Sequence, residues 1–297
     1  VEIFTKNELL HMITSCSPGW VRFAEKNYPD LLPHLSSCKS PHQMFGAIVK
    51  TYYAKKYNVE PKKIYMVSVM PCIAKKYECQ RPEMEVDGLR DVDCVLTTRE
   101  LARMIKQSNI VFEKLEDNVF DDPMGEATGA GAIFGTTGGV MEAALRTAAD
   151  TIEQKDLGEF EYEEVRGGAG IKKATITIAG KEVKVVVASG LANARKIMDE
   201  IRDGKADYHF VEIMACPGGC VMGGGQPIKS SKIRAEVDVR KLRADCLYSI
   251  DEKSTVRKSH ENPILKQIYA EYLEKPGSHL AHKLLHTTYH KQEKYEI

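Results

Sequence analysis

One loop-forming segment constrains the fold of this chain more than any other part. Residues 212–220 (EIMACPGGC) continue into 223–227 (GGGQP), and they follow an apolar, strand-like run at 208–211. Glycine permits positive φ and lets the backbone approach a bulky object closely. Two thiolates on such a tight loop are typical ligands for an iron–sulfur cluster or another soft metal. The other interpretation is a glycine-rich turn with two ordinary buried cysteines.

Two further cysteines lie on loops at or near the end of a predicted rigid element. Cys16 lies in the turn 14–20 (TSCSPGW), which also holds the only tryptophan, and Cys72 lies in 70–78 (MPCIAKKYE). The second of these segments directly follows an apolar run at 64–69. A site built on such loops holds its ligands with little freedom.

The three segments together resemble the three signature motifs of the iron-only (FeFe) hydrogenases, the enzymes that carry the H-cluster. The resemblance includes linking stretches at 87–91 (DGLRD) and 129–135 (GAGAIFG), and it extends from about residue 14 to about residue 286. It implies one H-cluster catalytic domain over 1–297, with approximate lobes 1–150 and 151–260 and a C-terminal helical wrap at 261–297. Because the chain opens on Val1, we expect an N-terminal part of the family domain to be missing or supplied by another chain.

Length and composition limit the classes of protein that remain. The 297 residues carry 42 Lys plus Arg and 42 Asp plus Glu, so no net charge attracts nucleic acid or an anionic membrane. No apolar run approaches the ~20 residues of a membrane span, and no signal peptide is visible, which predicts a cytoplasmic protein. Eight cysteines are too few for a disulfide scaffold, and their clustering on glycine and proline loops favours metal.

Strand and helix patterns alternate along the chain, which predicts an α/β fold. We expect two lobes of mixed β-sheet flanked by helices, with the metal site in the cleft between them at the carboxyl ends of strands. A capping box at Thr97 and Glu100 predicts a helix start. Predicted strands lie at 64–69 (buried), 93–96, 173–178, 182–188 and 208–214. Predicted helices lie at 7–13, 20–32, 138–149, 191–202, 237–249, 262–273 and 279–289.

The resemblance implies the ligands of a [4Fe–4S] cluster. Cys72, Cys216 and Cys220 match three of the four thiolates, and Cys220 would also bridge to a two-iron subsite with CO, CN and dithiolate ligands. The fourth thiolate of the family belongs to a Cys-Cys pair, and Ser17 stands at that position here. The cluster is therefore serine-ligated, reorganised onto Cys16 or weakened, or else Ser17 is an engineered substitution.

The resemblance also implies a proton path. Cys16 matches the proton-delivering cysteine, and a thiol pKa of ~8.5 suits that role because it lies close to working pH. The alternative is that Cys16 is a small buried hydrophobic residue. Ser36 matches the serine of the path. Glu2 and Glu8 are candidates to replace two glutamates that lie upstream in the family, although solvated helix carboxylates are the commoner interpretation.

Several residues match the surroundings of the two-iron subsite in the family. Lys75 matches the lysine that donates a charge-assisted hydrogen bond to a cyanide ligand, whereas Lys76 is expected to be exposed. His42 stands where many family members have glutamine, and we place it no nearer than the second layer of the site. The residues expected to wall the subsite or shape the backbone beside it are Met70, Pro71, Phe134, Gly135 and Met214. Cys38, Cys79, Cys94 and Cys246 lack partners at ligand spacing and are predicted to be structural.

The sequence contains no C-x₂-C-x₂-C-x₃-C run for relay clusters. Electrons must then come from a ferredoxin-like carrier or a partner iron–sulfur subunit, with H₂ and protons as substrates and maturation proteins as further partners. A hydrogen sensor of the same fold would tend to alter Cys16, and an iron–sulfur assembly relative would lack the complete Lys75 and glycine-loop motifs. A zinc protein would normally use C-x₂-C pairs. A hydrogenase is therefore the predicted function.

Overall fold

The computed structural model describes residues 11–121, 124–154, 162, 165–166, 170–178 and 180–293. Its strands are β1 (Met12–Ile13), β2 (Val67–Met70), β3 (Glu85–Val86), β4 (Leu89–Arg90), β5 (Cys94–Thr97), β6 (Gly170–Ile178), β7 (Lys181–Ser189) and β8 (Phe210–Met214). Its helices are α1 (Pro18–Asn27), α2 (Pro41–Ile48), α3 (Ala54–Lys56), α4 (Lys75–Glu78), α5 (Thr98–Gln107), α6 (Gly129–Ile133), α7 (Gly139–Glu153), α8 (Leu191–Arg202), α9 (Ser231–Glu236), α10 (Val239–Lys253), α11 (Pro263–Ile268) and α12 (His279–Leu285). Five-residue π-helical turns, Val49–Tyr53 and Tyr269–Leu273, follow α2 and α11 directly.

The larger sheet is mixed and has the strand order β1-β8-β7-β6. β6 and β7 form an antiparallel hairpin, while β7 and β1 both pair with β8 in parallel. Alternate residues of β7 enter two cores: Val186 and Ala188 pack with α1 and α8, whereas Val183, Val185 and Val187 pack against α7. The α/β class is therefore confirmed, with helices on both faces of this sheet.

A smaller parallel pair, β2 and β5, carries the segment that precedes Cys72. The prediction of a buried strand at 64–69 is wrong, because β2 begins at Val67 and both Val67 and Val69 are 44% exposed. Only the opposite face is covered, where Met70 packs against a small core around Val92 and Val95. An apolar run does not reveal whether one or both faces of a strand are covered.

Local signals predicted several elements well. The Thr97 and Glu100 capping box begins α5, α8 covers 191–202 as predicted, and the β6–β7 hairpin is present. The predicted helix at 7–13 is wrong over its described part, because Met12–Ile13 is a strand paired with Phe210 and Val211; residues 7–10 lie outside the described ranges. The predicted helix at 279–289 ends at Leu285.

The end of α12 turns into a bridge with the N-terminal third of the chain. His286 pairs with Cys38, and the Thr287 N–H donates to the Ser37 carbonyl at 2.7 Å. This long-range pairing replaces the last helical turns expected from the sequence.

The lobes 1–150 and 151–260 stay a prediction, although β1 belongs to the larger sheet. No helix in the described ranges is long and apolar enough to cross a bilayer.

A buried ion-pair network ties α10 to α7. Arg146 contacts both carboxylate oxygens of Asp251, at 2.9 and 2.8 Å, and Arg257 contacts one of them at 2.7 Å. Glu142 completes the network at 2.7 Å from Arg146. Burial works to raise the pKa of Asp251, but Arg146 and Arg257 outweigh it and hold this pKa below its usual range.

We expect Asp251→Asn to lower the free energy of unfolding by about 3 kcal/mol, because the buried network loses the carboxylate charge that Arg146 and Arg257 share. Urea unfolding measures this, with Asp245→Asn as the control. Asp245 forms an exposed pair with Lys241, and its loss should cost less than about 0.5 kcal/mol. Because the pKa of Asp251 is lower in the folded state than in the unfolded state, this carboxylate stabilises the fold at pH values above its unfolded-state pKa of about 4. The loss of stability in Asp251→Asn should therefore shrink as pH falls below about 4. Equal effects of the two variants at pH 7 would contradict the role of this network.

Candidate metal centre

The Cys16 turn is fixed to the end of the larger sheet. The Thr14 N–H donates to the Val211 carbonyl at 2.9 Å, and the Thr14 hydroxyl accepts from the Ile213 N–H at 3.1 Å. The fully buried Trp20 closes the turn by donating its indole N–H to the Thr14 carbonyl at 3.0 Å. Cys16 therefore lies beside β8, the strand that leads into the glycine loop.

The glycine loop lies directly against the backbone that precedes Cys72. The Gly225 N–H donates to the Pro71 carbonyl at 2.8 Å. A Cβ atom at Gly223 would lie 2.2 Å from the Pro71 carbonyl oxygen, and one at Gly225 would lie 2.9 Å from its carbon. Only glycine allows this approach, which joins the end of β2 to the loop after β8.

A third backbone segment closes against the same loop. Gly219 has a φ of +94°, and a Cβ atom there would lie 2.7 Å from both the Gly135 carbonyl oxygen and the Thr137 nitrogen. The Val221 N–H donates to the Gly135 carbonyl at 3.0 Å, and the Gly218 N–H donates to the Ser189 hydroxyl at 2.9 Å. The loop that carries Cys216 and Cys220 is thus held on two sides, as a cluster cradle requires.

Four thiols are close enough to influence one another. Burial raises the pKa of Cys220 to about 12, with Cys16 and Cys72 adding to the rise and Lys75 opposing it. Burial and Cys72 also raise the pKa of Cys216. Burial raises the pKa of Cys16 to about 11, again opposed by Lys75. A metal that binds these sulfurs must displace their protons, so its affinity should rise with pH.

In the described residues, no three cysteine sulfurs approach one another as closely as ligands of a single metal ion would. Within the described ranges, three ligand atoms approach within 4.8 Å of one another only at Asp150, His260 and Glu261. Four thiolates around one zinc ion would lie about 3.8 Å apart, given Zn–S bonds of about 2.3 Å. An iron–sulfur cubane separates its terminal thiolates further, because each binds a different iron. The donor set and the glycine cradle therefore fit a [4Fe–4S] cluster.

Ser17 begins α1 without capping it. It occupies the position before the first helical residue, Pro18, but its side chain makes no capping hydrogen bond. Serine normally accepts a backbone N–H from this position. The Ser17 hydroxyl is therefore not committed to the helix that it precedes.

Lys75 is buried beside the cysteine loops. It is 5% exposed, and its Nζ lies 3.0 Å from the Cys16 carbonyl oxygen and 2.9 Å from Glu78 Oε2. Ser40 and His42 contact the same carboxylate oxygen at 2.9 and 2.5 Å. Neither Glu78 nor Ser40 was predicted from the sequence to belong to the site. The i, i+3 spacing of Lys75 and Glu78 was the available signal.

The predicted wall residues occupy different environments. Met214 is buried at the end of β8, and Met70 is half-buried at the end of β2. Phe134 borders a mainly apolar cavity of about 360 Å³ together with Met12 and Phe210. All three side chains lie on segments that converge on the glycine loop.

The predicted proton path is only partly described. Ser36 is half-buried; its hydroxyl accepts from the Cys38 N–H at 3.3 Å, and its carbonyl accepts from the Tyr289 hydroxyl at 2.7 Å. Glu2 and Glu8 lie outside the described residues. The Ser36 N–H also donates to the Ile13 carbonyl at 2.8 Å, so Ser36 contacts both the C-terminal segment and the strand that leads into the Cys16 turn.

The remaining cysteines have varied surroundings. Cys79 is buried and donates to the Lys76 carbonyl at 3.3 Å, Cys94 is half-buried, and Cys38 and Cys246 are exposed. The Lys76 side chain is 40% exposed and pairs with a surface glutamate, as expected from the sequence.

Glu212 is a buried carboxyl group that the sequence analysis did not single out. It is fully buried on β8 and accepts the Gly138 and Met141 N–H groups at the start of α7, each at 2.7 Å. Burial raises its pKa to about 7, although these N–H groups oppose the rise. It therefore joins the strand that leads to Cys216 with the helix that follows Gly135.

Family models and curated relatives that match this chain point to the same protein family. The model for the C-terminal domain of the iron-only hydrogenase large subunit matches residues 1–224, and the model for the iron hydrogenase small subunit matches 237–292. Iron hydrogenase 1 of Clostridium pasteurianum is 52% identical over 291 residues, covering 98% of this chain and 51% of that protein. The periplasmic [Fe] hydrogenase large subunit of Nitratidesulfovibrio vulgaris is 53% identical over 226 residues, covering 76% of this chain and 54% of that protein.

Solved structures and more distant relatives extend the comparison. An apo [FeFe]-hydrogenase variant from Chlamydomonas reinhardtii superposes with a TM-score of 0.82 and 42% identity, covering 98% of this chain and 80% of that one. A cytosolic Fe-S cluster assembly factor of Xenopus tropicalis is 36% identical over 303 residues, covering 96% of this chain and 60% of that protein. The chain spans about half the length of the two curated hydrogenases. With the large-subunit model matched over three-quarters of its residues, the chain belongs to the iron-only hydrogenase family.

Proposed function

We propose that the chain holds an H-cluster and interconverts protons, electrons and H₂. The observation that carries the proposal is the junction of the glycine loop with the Pro71 backbone, which brings the loops of Cys72, Cys216 and Cys220 together. The buried Lys75 beside them adds the cation that a cyanide ligand would need. Identity of 52% to an iron hydrogenase supports the same reaction.

The chain's own residues have distinct parts in this proposal. Cys72, Cys216 and Cys220 would hold the [4Fe–4S] cluster, and Cys220 would also hold the two-iron subsite. The fourth position is taken by Ser17 or by Cys16. When bound, the H-cluster would pass electrons between the external carrier and the protons or H₂ that react at its iron. Lys75 would donate a charge-assisted hydrogen bond to a cyanide ligand.

Cys16 is the residue proposed to hold a proton. Burial raises the pKa of its thiol to about 11, so Sγ carries a proton at neutral pH but is a weaker acid than a free thiol, whose pKa of ~8.5 lies closer to working pH. Ser36 is proposed to pass protons further out. If Cys16 ligates the cluster instead, its sulfur loses this proton and the path begins elsewhere.

Electrons and cofactor assembly require partners. We propose a ferredoxin-like carrier or a partner iron–sulfur subunit as electron donor, and maturation proteins that build the two-iron subsite. The balanced charge gives no overall attraction to nucleic acid. A cytoplasmic location is the proposal, although one relative is named a periplasmic subunit.

A second candidate is a role in iron–sulfur cluster assembly. It is favoured by the 36% identity to an assembly factor. The first proposal is preferred because Lys75 and the complete glycine loop are retained here.

Metal analysis tests the cofactor directly. Anaerobically matured protein should contain iron for a four-iron cluster and a two-iron subsite, and it should show infrared bands of CO and CN, which absorb where protein does not. Protein with no such bands and with stoichiometric zinc would falsify the proposal. Protein with the cubane alone would favour the assembly role.

Cys220→Ala should abolish hydrogen evolution, because this sulfur is proposed to bind both the [4Fe–4S] cluster and the two-iron subsite. Cys38→Ala is the matched control, since that thiol is exposed and should leave turnover within about twofold of the parent. Turnover and CO band intensity of matured variants are the measurements. Similar hydrogen evolution by the two variants would show that the ligand assignment is wrong.

Ser17→Cys should strengthen cluster retention, because thiolate matches iron better than the harder serine oxygen. If Cys16 has been recruited as a ligand, turnover should rise by about 10- to 100-fold as that thiol is released. If serine already ligates, the gain should appear in redox potential and iron content. Unchanged iron content, potential and turnover would show that position 17 does not touch the cluster.

A further inference from the structure

Glu78 lies beneath Lys75 as a buried carboxylate with three donors on one oxygen. Both side chains are almost inaccessible, with Lys75 5% and Glu78 4% exposed. Oε2 of Glu78 contacts Lys75 Nζ at 2.9 Å, Ser40 Oγ at 2.9 Å and His42 Nε2 at 2.5 Å. We propose that Glu78, fixed by Ser40 and His42, is a positioning residue that aims the Lys75 ammonium at the two-iron subsite.

The charge on Glu78 is secured by its neighbours. Burial alone would raise the pKa of this carboxyl, but Lys75 and His42 outweigh it and hold the pKa at about 2. Glu78 is therefore an anion throughout the neutral range. A buried lysine without such a partner would be an uncompensated charge in a low dielectric, which is strongly unfavourable.

His42 supports Glu78 as a neutral ring. Burial lowers the pKa of His42, which favours the uncharged imidazole at pH 7. Its Nδ1 lies 3.0 Å from the Ser68 hydroxyl, which is able to donate to it, so Nε2 carries the hydrogen that faces Glu78. Because this contact needs only a neutral N–H donor, the amide N–H of a glutamine at position 42 should serve the same purpose.

The two fixed contacts of Lys75 decide where its third hydrogen is available. An ammonium has three N–H donors, and Glu78 and the Cys16 carbonyl take two of them. The 3.0 Å contact with the Cys16 carbonyl places the Lys75 ammonium beside the turn that carries Cys16. The third N–H is left for an anionic ligand in the space between the loops, and this last step rests on the proposed function.

The first experiment uses the apo chain and needs no cofactor. Selective ¹⁵N labelling of lysine allows the Lys75 Nζ signal to be assigned with Lys75→Arg, and its hydrogen exchange with water to be measured. We expect slow exchange in the parent chain and loss of the signal in Glu78→Gln. The matched control is Asp91→Asn, which removes an equally buried carboxylate paired with Lys39 at 2.7 Å. That variant should leave the Lys75 signal in place.

Variants of His42 keep the test decisive if Glu78→Gln does not fold. His42→Gln retains a donor to Glu78 and should keep the slow Lys75 exchange, whereas His42→Leu should speed it. Unchanged Lys75 exchange in both Glu78→Gln and His42→Leu would overturn the positioning role, whatever cofactor the protein binds.

The second experiment separates this inference from the proposed function. In matured protein, Glu78→Gln should shift the CN infrared bands and lower turnover by about 10- to 100-fold, while Asp91→Asn leaves the bands in place. If the CN bands of matured Glu78→Gln lie at the same frequencies as those of the parent, Glu78 does not direct Lys75 toward the subsite. If the parent shows no CN bands, the proposed function fails, and the exchange measurement still decides whether Glu78 holds Lys75.

Discussion

The centre depends on main-chain segments that lie too close together for any side chain to fit between them. Gly223 and Gly225 touch the Pro71 carbonyl, and Gly219 touches the backbone of 135–137. These contacts link the ends of β8 and β2, which belong to different sheets, to the turn before α7. The glycines therefore set the relative position of the cysteine loops. The side chains around these glycines set the local charge and the solvent access of the site, whereas the backbone contacts set its geometry.

The sequence revealed the parts of the fold that depend on neighbours along the chain. The bounds of α8, the β6–β7 hairpin and the start of α5 follow from helical spacing, strand alternation and a capping box. The cysteine loops of the site were found in the same way, from glycine and proline beside thiols. Strand pairings between residues far apart in the chain could not be predicted from the sequence. β1 exists because it pairs with Phe210 and Val211, about 200 residues away, and residues 286–287 leave the helix to pair with residues 37–38.

Buried charge is the second element that sequence reasoning missed. Glu78 and Glu212 each lie within a recognised motif segment, yet their roles depend on partners brought by other segments. At Ser17 the sequence does show that a serine stands where the family has a ligand cysteine. What this serine does depends on where its side chain lies in the fold. It begins the ten-residue α1, whose N-terminal N–H groups favour a negative charge. An anionic oxygen or sulfur at this turn would gain from that field whichever of Ser17 and Cys16 provides it.

The open face of β2 has a consequence for how the centre is lost. Parallel strands are normally covered on both faces, but the Val67 and Val69 side of this pair meets solvent in the described residues. Few apolar contacts oppose a local opening of this strand, so its amide hydrogens should exchange earlier than those of the doubly covered β7. Cys72 follows that strand directly. Of the three cysteine loops, its loop is therefore the one from which fraying would first admit water and oxidants to a bound cluster.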